Sequence, residues 1–114
     1  SLLHKAGILV GITYEEPPYN YRNVPFIAGQ AAGHGLTKEE ALQLVTLNNA
    51  RILGIESRTG TLETGKDANI VVSTGDLLDM RTNDVTHAFV QGRQLVLDDK
   101  QKRLYKRFSE KYGK

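Results

Sequence analysis

Gly35-Leu36-Thr37-Lys38-Glu39-Glu40-Ala41-Leu42-Gln43-Leu44-Val45-Thr46-Leu47-Asn48-Asn49-Ala50-Arg51-Ile52-Leu53-Gly54 is the stretch on which the reading of the fold turns. Thr37 and Glu40 stand three apart, the spacing at which each side chain bonds to the other residue's backbone N–H and opens a helix. Ala41, Leu42, Leu44 and Val45 follow as the apolar stripe of that helix. Thr46 can cap a further short helix, with Ala50, Ile52 and Leu53 turned inward and Gly54 as its stop. Upstream, residues 25 to 34 suit another helix with Pro25 in its first turn. Phe26, Ile27, Ala31 and Ala32 supply its stripe; Gly29 and Gly33 weaken it or permit close packing, and Gly35 ends it.

Farther upstream, Leu2, Leu3 and Ala6 before Gly7 read as a last helical turn with a glycine stop. Ile8 to Ile12 is a short apolar run of the kind found in strands covered on both faces. Pro17 and Pro18 end it and make residues 13 to 24 a loop. Downstream of Gly54 the character turns extended. Gly60 and Gly65 mark turns, and Ile70-Val71-Val72 within Asn69 to Ser73 predicts a buried strand. Val85 to Val90 and Arg93 to Leu97 flank Gln91-Gly92 as the arms of a hairpin. Leu104, Phe108 and Tyr112 recur every four residues in a terminal helix expected to pack onto the body. A doubly covered strand needs parallel neighbours, and the first forty residues offer none. The chain therefore reads as the end of something larger.

The 114 residues fit one domain or part of one, and 39% hydrophobic with 25% charged residues exclude a disordered chain. The absence of cysteine excludes disulfides, thiolate nucleophiles and cysteine-bound zinc, and leaves the compartment open. No apolar run approaches the roughly 20 residues of a membrane span, and Ser1 to Lys5 do not begin a signal peptide. Charge is uneven: Lys100 to Lys114 holds seven basic residues against Glu110, a charge of +6 that leaves −4 on residues 1 to 99. Such a tail can bind nucleic acid or an anionic membrane. The reading taken from the residues is a solvated helix face, with no nucleic-acid and no membrane partner.

Two stretches together resemble a known family. They are Gly35 to Leu42 continued through Val45 to Gly54, and Gly60-Thr61-Leu62-Glu63-Thr64-Gly65-Lys66-Asp67-Ala68-Asn69-Ile70-Val71-Val72. With Val85 to Arg93 after them, they are similar in order and wording to the C-terminal signature of the amidohydrolase superfamily, especially its imidazolonepropionase-like and dihydroorotase-like members. The resemblance runs from residue 2 to about 97. It implies an α/β fold: the last β/α unit of a TIM-like barrel, the C-terminal part of a small β-sandwich, and a terminal helix. Residues 1–54 would end the barrel, with Ile8 to Ile12 as its last strand. Residues 55–99 would give their share of the composite sandwich, and 100–114 the basic helix. Lys66, taken as exposed, and Asp67, bonding local backbone N–H groups, would serve a turn rather than catalysis.

The family hydrolyses C–N bonds of cyclic amides, amidines and related small molecules with one or two divalent metals, zinc or another. The ligands would lie upstream, so no cofactor is expected in this chain. His4, His34 and His87 have no second ligand at the spacing metal sites favour. His34 suits a helix-end role, and His87 a place in a strand. One family residue should fall here, an aspartate after the last barrel strand that takes a proton from metal-bound water. A barrel places its catalysts at that end. Glu15 aligns with it, with Glu16 as the alternate, and glutamate's extra methylene moves the carboxylate by about 1 Å. Solvation of the loop explains both glutamates equally well. Tyr14, Tyr19, Tyr21 and Arg22, with Asn20, crowd the same loop and either line a substrate pocket or bury the loop. The expectation is a hydrolase fragment, inactive alone, with upstream barrel residues and a small substrate as partners in the parent. The alternative is a non-catalytic remnant or an oligomerisation or binding module. An unpaired Ile8 to Ile12 strand predicts a homo-oligomer with these residues at the contact.

Overall fold

The computed structural model describes residues 2–15 and 18–113, without the side chains of residues 18 and 19. The elements run α1 (Leu2–Lys5), a 3-10 helix (Pro18–Asn23), α2 (Val24–Gly33), α3 (Lys38–Gln43), α4 (Leu47–Ile52), β1 (Ile70–Ser73), β2 (Val85–Val90), β3 (Arg93–Gln94) and α5 (Lys100–Tyr112). The fold is mixed α/β.

Local chemistry explains the helices. α2 carries Pro25 in its first turn, and α3 opens on the expected capping box. The Thr37 N–H donates to Glu40 Oε2 at 2.7 Å and the Glu40 N–H to Thr37 Oγ1 at 3.1 Å. Thr46 precedes α4, but its hydroxyl donates back to the Leu42 carbonyl at 2.8 Å instead of capping α4. Serine and threonine often make this backward bond. Ala28 of α2, Ala41 of α3 and Leu78 of a downstream loop form the core, with Ile12, Ala32 and Val45 against it. A Cβ on Gly29 would collide with the Leu78 carbonyl, so glycine is what lets that loop close on α2. Leu44 and Ala50 are buried as expected, whereas Leu42, Ile52 and Leu53 are exposed.

The three strands form one antiparallel sheet, ordered β1-β2-β3. Ile70 faces Phe89 and Val71 faces Ala88, and Phe89 faces Gln94 across the hairpin. Gln91 and Gly92 make the tip with φ of 49° and 77°, the positive values a two-residue turn of this hand requires. Asn69 Oδ1 accepts from the Gln91 N–H at 2.9 Å, which joins the tip to the start of β1. Four expectations fail here. Val71 and Val72 are about half exposed, so β1 is not a buried strand. The third strand pairs only over Arg93–Gln94 and then leaves the ladder after one further bond, Leu95 N–H to Ala88 O. Lys66 is not exposed: its ammonium is folded onto Thr61 Oγ1 at 2.6 Å. Asp67 accepts from the Arg58 guanidinium at 2.9 Å rather than from local N–H groups.

Ile8 to Ile12 is not a strand. The run is irregular, with Ile8 and Leu9 about half exposed. Its backbone is satisfied by the helices instead. The Ile12 N–H donates to Leu44 O at 2.8 Å, and the Asn48 and Asn49 amides donate to the Val10 and Ile12 carbonyls at 2.8 and 2.9 Å. α5 likewise departs from expectation. It is capped at Asp99, whose side chain accepts from the Lys102 N–H, yet it packs against no other described helix or strand. Leu104 and Phe108 are about half exposed and Tyr112 more so, the last two stacked with centroids 6.2 Å apart.

Among the described residues seven hydrophobic side chains are buried, four of them alanines, and no large side chain is fully enclosed. The accessible surface is 8909 Å², against about 6,200 Å² for a compact monomer of this mass. The radius of gyration is 16.8 Å, against about 13 Å for a compact domain of this length. The chain thus leaves far more surface in water than a closed globule would.

Candidate functional site

The loop after Ile12 holds the residues picked out for chemistry. Its approach is held by α4. Asn48 is 5% exposed and spends its amide on Val10, while Asn49 takes Ile12. Two adjacent amides on one short helix thereby replace strand pairing. Gly11 lies between their targets, and a Cβ there would run into the Asn49 side chain. From this anchored stem Glu15 emerges exposed, with no side-chain hydrogen bond or ion pair among the described residues. Tyr14 is half-buried; Tyr21 and Arg22, on the 3-10 helix, are exposed, and Asn20 is half-buried. Glu16 lies outside the described residues, and so does the Tyr19 side chain. The structure thus places Tyr14 and the exposed Glu15 just past the tethered stem, and Tyr21 and Arg22 on the 3-10 helix that follows.

The histidines do not converge. His4 Nε2 meets Glu40 Oε1 at 3.2 Å and ties α1 to α3. His34 ends α2, donating its backbone N–H to Gln30 and Ala31 carbonyls. His87 is exposed on β2, its Nδ1 3.1 Å from Thr86 Oγ1. Among the described residues no three histidine, aspartate or glutamate side chains come together to hold a metal ion. The described residues therefore offer no ligand set for the divalent metal that the resemblance implies.

Sequence reasoning missed one polar cluster. An open cleft of about 490 Å³ lies where the end of α2 and the start of α3 meet the loop carrying Leu78. Lys38 Nζ and Asp76 Oδ2 pair across it at 2.7 Å. The Lys38 hydrogen bond, with the Leu78 N–H after it, holds the Asp76 carboxyl below its usual range; the same pair raises Lys38. Asp76 and Asp79 each accept a backbone N–H two residues on, from Leu78 and Arg81. That pattern is legible as turn chemistry; the approach of Lys38 from thirty-eight residues earlier is not. Each acid is already engaged, so the cluster holds the loop against α2 and α3. Glu40 is shifted too: the Thr37 N–H and then its hydroxyl keep its carboxyl below the ordinary range.

The sequence model of the Amidohydrolase family matches residues 3–95. The chain is 41% identical over 69 residues to an imidazolonepropionase of Thermoplasma volcanium, covering 59% of this chain and 17% of that protein. It is 43% identical over 61 residues to an N-acetylglucosamine-6-phosphate deacetylase of Danio rerio, covering 54% and 14%. Its fold superposes on that of an amidohydrolase from Thermotoga maritima with a TM-score of 0.75 and 33% identity, over 82% of this chain and 24% of that one. The chain spans less than a fifth of these curated relatives. On the extent of that match and the order of its motifs, the chain belongs to the amidohydrolase family.

Proposed function

We propose that the chain forms the C-terminal portion of a metal-dependent hydrolase of C–N bonds in cyclic amides, amidines or related small molecules, and that it is inactive by itself. The observation that carries this is the excess of exposed surface in a chain that aligns with only a small part of its relatives. A larger body, contributed by upstream residues, would cover Leu2, Leu3, Ile8 and Leu9 and bring the zinc or other divalent metal. Residues 1–54 then form the last unit of a barrel, with Ile8 to Ile12 drawn into a strand once a neighbour is present. Residues 55–99 give half of a composite sandwich, and 100–114 the basic helix. Glu15 would accept a proton at the metal-bound water, with Glu16 as its alternate. Tyr14, Tyr19, Tyr21 and Arg22 would line the substrate. A chain expressed alone covers the same surface with a second copy, giving a homo-oligomer.

The second reading, a non-catalytic remnant or oligomerisation or binding module, is favoured by glutamate standing where the family has aspartate. The coding sequence ahead of Ser1 separates the two. A His-x-His pair after a first barrel strand supports the hydrolase, and its absence favours the remnant. Turnover of a cyclic amide by the purified 114-residue chain with added zinc or manganese would show that the chain is not inactive alone.

A further inference from the structure

A basic helix with one solvated face is expected to bury its opposite, apolar face against the body. α5 does not. Tyr105 is 76% exposed, Phe108 47%, Tyr112 65% and Leu104 39%. At about 100° per residue, Leu104, Phe108, Gln101, Tyr112 and Tyr105 occupy one sector of roughly 100°. Lys100, Lys102, Arg103, Lys106, Arg107, Glu110 and Lys111 take the remainder. The segregation is complete: no charge falls inside the apolar sector. Immediately before the helix, Leu95 and Val96 are also exposed, at 46% and 89%.

We propose that α5 lies flat on an anionic membrane surface, its apolar sector among the acyl-chain boundary and its lysines and arginines on the headgroups. Charge decides among the occupants. Lys100 to Tyr112 carries six basic residues and one acid. A second copy of α5 laid against the first would bring two such cationic flanks together and oppose association. An anionic lipid surface attracts the flanks and receives the stripe at once, which is the physical description of an interfacial helix. Long basic side chains beside the sector reach the headgroups while their methylenes stay with the apolar face. A nucleic-acid phosphate would use the charges and leave the aromatic stripe in water. No described helix is long and apolar enough to cross a membrane, so the contact is with one surface. Each basic residue held near such a surface strengthens binding on the order of fivefold.

The experiment is co-sedimentation of the full chain with vesicles of equal parts phosphatidylcholine and phosphatidylserine, beside pure phosphatidylcholine vesicles and a DNA duplex. The expected result is retention on the mixed vesicles alone, weakened at high salt. Phe108→Glu should reduce retention at least tenfold and Lys106→Glu severalfold. Because α5 packs on no other element, both variants leave the body folded, which circular dichroism checks. Equal retention of Phe108→Glu and the wild type overturns the proposal. So does binding to the duplex but not to vesicles, a lipid-free oligomer in which Phe108 is protected, or protection of Phe108 without lipid in a longer chain that carries the upstream residues.

Discussion

Ile8 to Ile12 and Val85 to Val90 both read as strands from the sequence, yet only the second is one. Val85 to Val90 finds β1 on one side and β3 on the other, both within twenty residues. Ile8 to Ile12 has no strand beside it among the described residues, and side-chain amides from α4 take two of its carbonyls. Strand character is a property of a pair of segments, because a ladder needs donors and acceptors on both sides. An apolar run without a partner settles for whatever donors lie near.

The sharpest way to break the comparison is Asn48→Ala. It removes the amide from Val10 O at a nearly buried position, and an unsatisfied buried group costs about 1 to 3 kcal/mol. Amide exchange at Ile12 should rise while Val85 to Val90 keep their protection, and the urea midpoint should fall. Gly92→Val is the mirror experiment. A β-branched residue at φ of 77° costs about 1 to 2 kcal/mol, so exchange should rise in β2 and not at Ile12.

A weaker lever is pH. Glu40 has its carboxyl lowered chiefly by the Thr37 N–H. A lowered folded value means stability that is present above the ordinary glutamate range, near about 4.3, and is lost as pH falls through the folded value. Acidification should therefore loosen α3, and with it the Leu44 carbonyl that holds the Ile12 N–H, before the hairpin responds. Helical ellipticity and hairpin amide shifts across an acid titration would check that order, and Glu40→Gln, which removes the titrating carboxyl, should abolish it. Smallest of all, Phe108→Glu should change folding stability by less than about 0.5 kcal/mol, measured by urea denaturation. A larger loss would mean that α5 is docked on the body.

What proved legible in the residues was what neighbours along the chain decide. The Thr37–Glu40 box, the positive-φ stop at Gly7 and the Gln91-Gly92 tip each depend on groups within a few positions. What went astray depends on distant groups. Asp67 stands in a turn, yet its side chain pairs with Arg58, nine residues back. Leu78 has no periodic apolar neighbours to mark it, and it sits in the core because Gly29 leaves room for its backbone. The candidate site divides the same way. Glu15 could be found only by aligning it with a family position, since a lone loop carboxylate has no periodicity to mark it. Its Asn48 and Asn49 tether spans nearly forty residues.

The sequence by itself determined the family, the helices between residues 25 and 54, the capping of α3 and the turn of the hairpin, because each rests on local backbone preference or a contiguous motif. Only the tertiary structure decided that Ile8 to Ile12 is tethered rather than paired, that β1 is half exposed, and that the stripe of α5 is bare. Apolar spacing states that a face needs cover. Whether cover exists depends on how much surface the rest of the chain can bring to it, and here seven hydrophobic residues are buried among those described.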